Sequence, residues 1–172
     1  MVEYTDLING LPAEVPFVGP ESQERSLGFN FKARIGANES VFGPSEKALE
    51  AMRESLQVDI WKYGDPENFE LKRAIAKKMN SSIENIIVGE GIDALLGYLV
   101  RLIVEPGVKV ISSRGAYPTF NYHVRGAGGE LILVPFKNDY EDLETLVDVA
   151  LKQCAKIIYL SNPDNPMGTA IS

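Results

Sequence analysis

The chain has 172 residues, of which 45% are hydrophobic and 24% charged, and its formal net charge is −7. This balance is typical of a soluble globular protein, and the length is enough for one domain with a sizeable core. The basic residues are scattered, which argues against nucleic-acid binding. The longest apolar run, residues 95–104, is broken by Gly97 and Arg101 and is too short to cross a membrane.

The spacing of apolar residues and breakers predicts the elements in chain order. Residues 1 to about 30 are rich in Pro, Gly and Glu and are expected to form an extended arm or loop. One helix should begin after Gly43-Pro44-Ser45 and a second at Asp65-Pro66, with Asp65 as its N-cap. Strands are then predicted at 86–88, 108–111, 131–134 and 156–160, and helices at 91–104, 118–125 and 143–151. Strands separated by helices predict an α/β fold with a mainly parallel sheet flanked by helices, which binds ligands at the carboxyl ends of its strands.

Three features bear on location and on metal binding. The segment Met1 to Asp6 lacks the basic-then-apolar layout of a signal peptide, and a single cysteine cannot form an internal disulfide, so we expect a cytoplasmic protein. That cysteine, Cys154, lies late in an apolar helix and is predicted to be a small core residue. His123 is the one histidine and has no evident second ligand, so we expect a packed or capping residue and no metal site.

The segment Val88 to Ala94 turns from a predicted strand into a helix. Its glycines allow a ligand to approach the backbone, and the free amides at the helix start suit a phosphate. The alternative is a plain tight turn. A negative Asp93 is unfavourable beside a phosphate, so we expect its side chain to cap the helix while its backbone amide meets the anion. A nucleotide or S-adenosylmethionine site would need a further glycine and an acid about 20 residues on, and neither is present.

The segment Ser161 to Thr169 contains two proline steps, Asn162-Pro163 and Asn165-Pro166. They impose a stiff loop in which either peptide bond can be cis, and Asn165 would be presented as a fixed hydrogen-bond partner. The alternative is a proline-rich exit turn. An amino-methyltransferase loop of the type Asn-Pro-Pro-aromatic is also similar, but Met167 stands in place of the aromatic residue. Because a compact domain rarely ends on such a loop, we expect the chain to be a fragment or half of a split protein.

Six motifs occur in a characteristic order: Ala37-Asn38-Glu39-Ser40, Gly43-Pro44, Tyr63-Gly64, Gly89 to Asp93, Tyr117-Pro118-Thr119-Phe120 and Asn162 to Gly168. From about Phe31 onward, their order and spacing resemble those of fold-type I pyridoxal-phosphate (PLP) aminotransferases, especially the histidinol-phosphate aminotransferase branch. The resemblance implies an N-terminal arm (1–30), the N-terminal part of a small domain (31–60) and the first part of the large PLP-binding domain (61–172). Asp164 and Met167 stand where asparagine and threonine are common, which bears on the subfamily more than on the cofactor.

The resemblance also implies a role for each matching residue. The backbone of Gly91, Ile92 and Asp93 would contact the cofactor phosphate. Phe120 would stack on the pyridine ring, with a core aromatic as the alternative, and Asn165 would hydrogen bond to the ring hydroxyl oxygen.

Two further matching residues belong to the motifs that precede the predicted sheet. Tyr63 would reach the phosphate of a partner subunit in a homodimer, with an exposed loop tyrosine as the alternative. Asn38 lies where the N-terminal segment of the family approaches the substrate.

The activity that the resemblance implies is the transfer of an amino group between an amino acid, or histidinol phosphate, and a keto acid in amino-acid biosynthesis. In the family the Schiff-base lysine, the acid at the pyridine nitrogen and the arginine for the substrate carboxylate all follow the Asn-Pro loop. The catalytic lysine is therefore expected beyond Ser172. A PLP-dependent decarboxylase or carbon–sulfur lyase, an S-adenosylmethionine-dependent methyltransferase and a non-catalytic PLP-binding remnant remain as alternatives.

Overall fold

The structure, a computed structural model, describes residues 2–12 and 17–171. The helices in this part of the chain are α1 (Asp6–Asn9), α2 (Pro20–Leu27), α3 (Glu46–Val58), α4 (Phe69–Met79), α5 (Gly91–Ile103), α6 (Pro118–Gly126) and α7 (Leu143–Gln153). The strands are β1 (Lys109–Arg114), β2 (Glu130–Pro135) and β3 (Ile157–Ile158). Among the described residues, none of the helices combines the length and apolar character needed to span a membrane.

The three strands form a parallel sheet in the order β2-β1-β3. Lys109 pairs with Glu130 along β2, and Val110 pairs with Ile157 on β3. The central strand is buried on both faces, which explains its continuous run of buried residues. The predicted α/β fold with a parallel sheet is confirmed, and the carboxyl ends of all three strands lie at the same edge.

Hydrophobic cores lie on both faces of this sheet. Successive residues of β1 point to opposite faces, so Val110 packs into the core that α5 and α6 form, whereas Ile111 packs against α7. Phe120 and Val124 of α6 belong to the first core, and Leu146 of α7 belongs to the second. All three side chains are fully buried. The two cores fix the helices that follow β1 and precede β3, and hence the loops at the carboxyl edge.

The chain divides into two compact units, Met1–Phe17 with Gly89–Ser172, and Val18–Val88. The first unit contains the sheet with α1, α5, α6 and α7, and the second contains α2, α3 and α4. The division into 1–30, 31–60 and 61–172 that the resemblance implies concerns domains of the family, and it stays a prediction.

Several local predictions differ from the structure in the first 88 residues. The expected arm contains α1 and α2; the Thr5 side chain caps the first, and Pro20 begins the second. Asp65 accepts hydrogen bonds from the backbone N–H of Glu67 at 3.0 Å and of Phe69 at 2.9 Å, so it forms a turn, and α4 begins only at Phe69.

The predicted strand at 86–88 is absent from the described sheet. Ile87 is 72% exposed, and no described strand pairs with its backbone. Cys154 is also not a core residue, because it ends α7 with φ +52° and is exposed. The left-handed backbone turns the residue away from the buried face of the helix.

Candidate functional site

The start of α5 is shaped by two glycines. Gly91 has φ +77°, a conformation that favours glycine. A Cβ on Gly89 would lie 3.1 Å from the Leu95 side chain and 3.2 Å from the Tyr98 ring, so the backbone here packs closely against the helix. Within the described chain no side chain caps this helix start. The Gly91 N–H donates to the Gly89 carbonyl at 2.8 Å, and the N–H groups of Ile92 and Asp93 are available to an anion.

Two carboxylates flank this helix start, and both are held by other groups. Glu90 accepts a hydrogen bond from the Tyr98 hydroxyl at 2.9 Å. A hydrogen bond from its own backbone N–H lowers the pKa of Glu90 most, and the bond from Tyr98 lowers it further. The same bond raises the pKa of Tyr98. Asp93 lies 2.7 Å from His123 Nε2, so its side chain does not cap α5 as expected. The carboxylates are thus engaged in protein contacts beside the free N–H groups.

His123 joins α6 to the first turn of α5. Besides its contact with Asp93, its ring fills the space above Gly97, where an added Cβ would lie 3.0 Å from His123 Cε1. The prediction of a packed histidine is confirmed. The lack of a side chain at Gly97 is what lets the ring reach Asp93.

The aromatic residues after β1 occupy different environments. Phe120 is fully buried, and its ring stacks on Tyr159 with centroids 4.3 Å apart and an interplanar angle of 14°. Tyr117 precedes α6 at the carboxyl end of β1 and is half-buried. Sequence reasoning selected Phe120 for contact with a ligand ring and passed over Tyr117, whose partial exposure could not be foreseen from the pattern.

Burial raises the pKa of Tyr159, and Tyr117, Asp164 and Glu141 raise it further. Tyr117 and Tyr159 both pack against the core that contains Phe120. The contacts bring the segment after β1 and the segment after β3 together at the carboxyl edge of the sheet.

The loop after β3 is closed by its own hydrogen bonds. Both Asn162-Pro163 and Asn165-Pro166 are cis peptides. Asp164 donates its N–H to the Thr169 carbonyl at 2.8 Å and accepts from Gly168 N–H at 2.9 Å. Asn165 is half-buried in this loop, and its side chain has no hydrogen-bond partner among the described residues, which leaves it available to a ligand.

Two acids at the same edge are buried, although no sequence motif predicts a role for them. Glu141 and Asp164 are each 5% exposed, and the Ser113 hydroxyl at the end of β1 donates to Glu141 Oε2. Burial raises the pKa of Glu141, and Asp164 raises it further, while the backbone N–H of Ser161 lowers it in part. Asp164 in place of a common asparagine was the one available signal in the sequence.

Asn38 and Tyr63 belong to the Val18–Val88 unit. Asn38 is exposed with φ +55°, and the Tyr63 side chain is fully exposed. Their suggested contacts with a substrate and with a partner subunit stay predictions. Over residues 2–12 and 17–171, no group of three His, Cys, Asp or Glu side chains is arranged to hold a metal ion.

Comparison with known proteins gives a family for most of the chain. Residues 32–172 match the family of class I and II aminotransferases. A histidinol-phosphate aminotransferase of Caldicellulosiruptor saccharolyticus is 30% identical over 168 residues, which cover 98% of this chain and 46% of that protein. The enzyme of the same name from Desulfotalea psychrophila is 32% identical over 146 residues, or 85% of this chain and 38% of that protein. The chain therefore spans less than half the length of these relatives.

Solved structures share the fold. The histidinol-phosphate aminotransferase of Sinorhizobium meliloti, crystallised with pyridoxal-5'-phosphate, superposes with a TM-score of 0.88 at 52% identity, over 96% of this chain and 44% of that one. An aspartate aminotransferase of Thermus thermophilus gives a TM-score of 0.78 at 24% identity, over 99% of this chain and 47% of that one. At that identity the second comparison bears on the fold alone.

Proposed function

Because the chain belongs to the class I and II aminotransferase family, we propose that the protein is a PLP-dependent aminotransferase. It transfers an amino group between an amino acid, or histidinol phosphate, and a keto acid. The observation that carries the proposal is the uncapped start of α5, with its left-handed Gly91, in a chain that matches this family over residues 32–172. Bound PLP would supply an electron sink for cleavage of bonds at the substrate α-carbon.

The residues at the start of α5 fit the phosphate of this cofactor. Gly91, Ile92 and Asp93 form the first turn, where the N–H groups of Ile92 and Asp93 are free and the helix dipole favours negative charge. His123 holds the carboxylate of Asp93, which reduces its repulsion of the phosphate. In this arrangement the chain binds the phosphate through its backbone, and the side chains keep that backbone in place.

The residues at the carboxyl edge of the sheet fit the ring of the cofactor. Asn165 has a free side-chain amide and would donate to the ring hydroxyl oxygen. An aromatic side chain after β1 would cover the ring face. The resemblance assigned that contact to Phe120, but its full burial against Tyr159 favours Tyr117, which is half-buried three residues earlier.

The remaining catalytic groups belong to the part of the protein that this chain does not span. The lysine that carries the cofactor, the acid at the pyridine nitrogen and the substrate arginine would lie beyond Ser172. Asn38 would approach the substrate, and Tyr63, fully exposed here, would contact the phosphate in the partner subunit of a homodimer. We also propose a role in amino-acid biosynthesis and a cytoplasmic location, with which the single cysteine accords.

The experiment that tests the function starts with the complete protein. It is incubated with PLP and reduced with borohydride, and its intact mass is then measured. The expected result is one cofactor adduct on a lysine, followed by amino transfer from histidinol phosphate to a keto acid. Release of carbon dioxide or of a thiol instead would identify a decarboxylase or a carbon–sulfur lyase. Binding of S-adenosylmethionine without an adduct would reject the PLP assignment.

Two matched variants decide which aromatic residue covers the ring. Tyr117→Leu should weaken PLP binding while the fold is retained, because a half-buried ring at the edge of the sheet is lost. Phe120→Leu should lower the free energy of unfolding by about 1–2 kcal/mol through core packing and leave PLP affinity nearly unchanged. The opposite pattern returns the stacking role to Phe120.

A further inference from the structure

The loop after β3 carries Asn165, and the residue before it, Asp164, is the buried residue of this loop. Asp164 is 5% exposed, whereas the other residues from Ser161 to Ile171 are half-buried or exposed. Burial of a carboxyl group costs free energy unless hydrogen bonds compensate for the lost water. The hydrogen bonds of Asp164 therefore indicate what its burial achieves.

Three hydrogen bonds that involve Asp164 enclose Asn165 and Pro166. The Met167 N–H donates to Asp164 Oδ2 at 2.9 Å. The Gly168 N–H donates to the Asp164 carbonyl at 2.9 Å, and the Asp164 N–H donates to the Thr169 carbonyl at 2.8 Å. The side chain, the carbonyl and the N–H group of one residue thus all fix the backbone on the far side of Asn165.

The base of the loop is closed by other groups. Asn162 Nδ2 donates to the Ile171 carbonyl at 2.9 Å, and Asn162 Oδ1 accepts from the Ile171 N–H at 3.0 Å. The Thr169 hydroxyl donates to the Asp139 carbonyl at 3.0 Å, which joins the loop to the turn before α7. Because the Thr169 carbonyl also accepts from Asp164, these bonds connect the turn before α7 to the residue next to Asn165.

We propose that Asp164, anchored by Thr169, is a positioning residue that holds the loop in the shape in which the Asn165 amide can donate to the ring hydroxyl oxygen of PLP. The side chain acts through the backbone and does not touch the cofactor. The effect on PLP rests on the proposed function, whereas the effect on the loop does not.

This role requires an acceptor oxygen at position 164 and no charge. Asp164 Oδ2 accepts from a backbone N–H, and an asparagine side chain offers the same kind of acceptor in its amide oxygen. None of the ion pairs among the described residues involves Asp164. The resemblance described above makes asparagine the common residue at this position. Asp164→Asn should therefore keep the loop in place, and Asp164→Ala should loosen it.

Hydrogen exchange of the complete protein, without added cofactor, tests the loop directly. The Met167 N–H should exchange slowly in the wild type and in Asp164→Asn, and about tenfold faster in Asp164→Ala, as expected for one lost hydrogen bond. The control Asp148→Ala removes an exposed carboxyl from α7 and should leave this exchange unchanged. Equal exchange of the Met167 N–H in the wild type and Asp164→Ala overturns the proposal.

A second variant covers the case in which Asp164→Ala does not fold. Thr169→Val removes the hydroxyl that donates to the Asp139 carbonyl and retains the backbone carbonyl that accepts from Asp164. The Asp164 N–H should exchange faster in this variant, because the Thr169 carbonyl is no longer held by the turn before α7. Unchanged exchange of the Asp164 N–H shows that Thr169 does not anchor Asp164, and it overturns the proposal.

Titrations with two ligands distinguish a positioning role from a general loss of structure. Asp164→Ala should raise the Kd for PLP about tenfold, the size of one hydrogen bond, and Asp164→Asn should restore it. For the analogue of PLP that lacks the ring hydroxyl, Asp164→Ala should leave the Kd nearly unchanged, because Asn165 has no oxygen to contact. An equal loss of affinity for both ligands overturns the positioning role.

Asn165→Ala provides the reference for the same titrations. It should raise the Kd for PLP and not for the analogue, and Asp164→Ala added to it should have no further effect, because both residues act through one contact. A further rise in the double variant shows that Asp164 acts elsewhere and overturns the proposal. If Asn165→Ala binds PLP as the wild type does, the ring contact fails and the positioning role fails with it. If the wild type binds no PLP, the proposed function fails, while hydrogen exchange still decides whether Asp164 holds the loop.

Discussion

Substitution of Gly91 tests the phosphate site with few side effects. Its φ is +77°, and an added Cβ would meet no heavy atom within 4 Å. The cost of Gly91→Ala therefore comes from the backbone alone, about 1–2 kcal/mol for an L-residue in the left-handed region. If the angle relaxes to avoid this cost, the N–H groups of Ile92 and Asp93 move with it. We expect the Kd for PLP to rise about tenfold, which corresponds to about 1.4 kcal/mol.

Gly28→Ala provides the matched control. Gly28 ends α2 with φ +75° and equally open surroundings, so the same backbone cost applies in the Val18–Val88 unit. Chemical denaturation should show a similar loss of stability in both variants, and a titration followed by PLP absorbance should show weaker binding only in Gly91→Ala. Wild-type affinity in Gly91→Ala, at the expected loss of stability, would refute the assignment of the phosphate to this helix start.

Three further predictions concern the contacts around the site. His123→Leu frees the Asp93 carboxylate beside the phosphate, so it should weaken binding of PLP more than binding of pyridoxal, which lacks the phosphate. Adding Asp93→Asn should restore part of the PLP affinity. No rescue in equilibrium titrations would show that the pair does not act on the phosphate. Gly129→Ala would place a Cβ 2.6 Å from Val104 Cγ1 and should lower the free energy of unfolding by about 1–3 kcal/mol. In the control Gly126→Ala the added Cβ meets no heavy atom within 4 Å and should not destabilise the fold. Equal urea midpoints for the two variants would contradict this difference. The pKa of Glu141 is raised in the folded state, so the folded state holds this proton more tightly than the unfolded state. The resulting stabilisation is complete below the ordinary pKa of 4.5 and is lost as pH rises through the raised value. Denaturation at a series of pH values should show this fall in the wild type and not in Glu141→Gln.

The sheet and its helices could be predicted from the sequence because their signals are local. The start of α6 follows from Pro118, which is suited to a first helical turn, and α3 begins where Ser45 accepts a hydrogen bond from Ala48 N–H. The apolar run of β1 indicates a strand buried on both faces. In each case the residues that determine the element lie within it or at its end.

The predictions that failed or stayed open depend on distant contacts. The apolar residues 86–88 have strand character, but a strand also needs a neighbour, and the described sheet provides none. Cys154 has an apolar sequence environment, yet its position at the end of α7 sets its exposure. The sequence pattern assigns the ring stack to Phe120, whereas the packing of Phe120 against Tyr159 becomes visible only in the fold.

The two buried acids show the same limit for the site. Glu141 and Asp164 are 23 positions apart, and nothing near either one in sequence indicates a shared environment. They lie at the same edge of the sheet because β1, with Ser113 at its end, lies between β2 and β3. The residues that match family motifs were found from the sequence, whereas the groups that support them were found from the fold.

The division of the chain into units has a consequence for its synthesis. Residues 2–12 share a unit with Gly89–Ser172, and Asp6 and Leu7 line one cleft with Arg125 and Gly128. All of residues 18–88 must be translated before these partners exist, which takes several seconds at about 5–20 residues per second. During that interval residues 2–12 have no native partner in this unit to pack against.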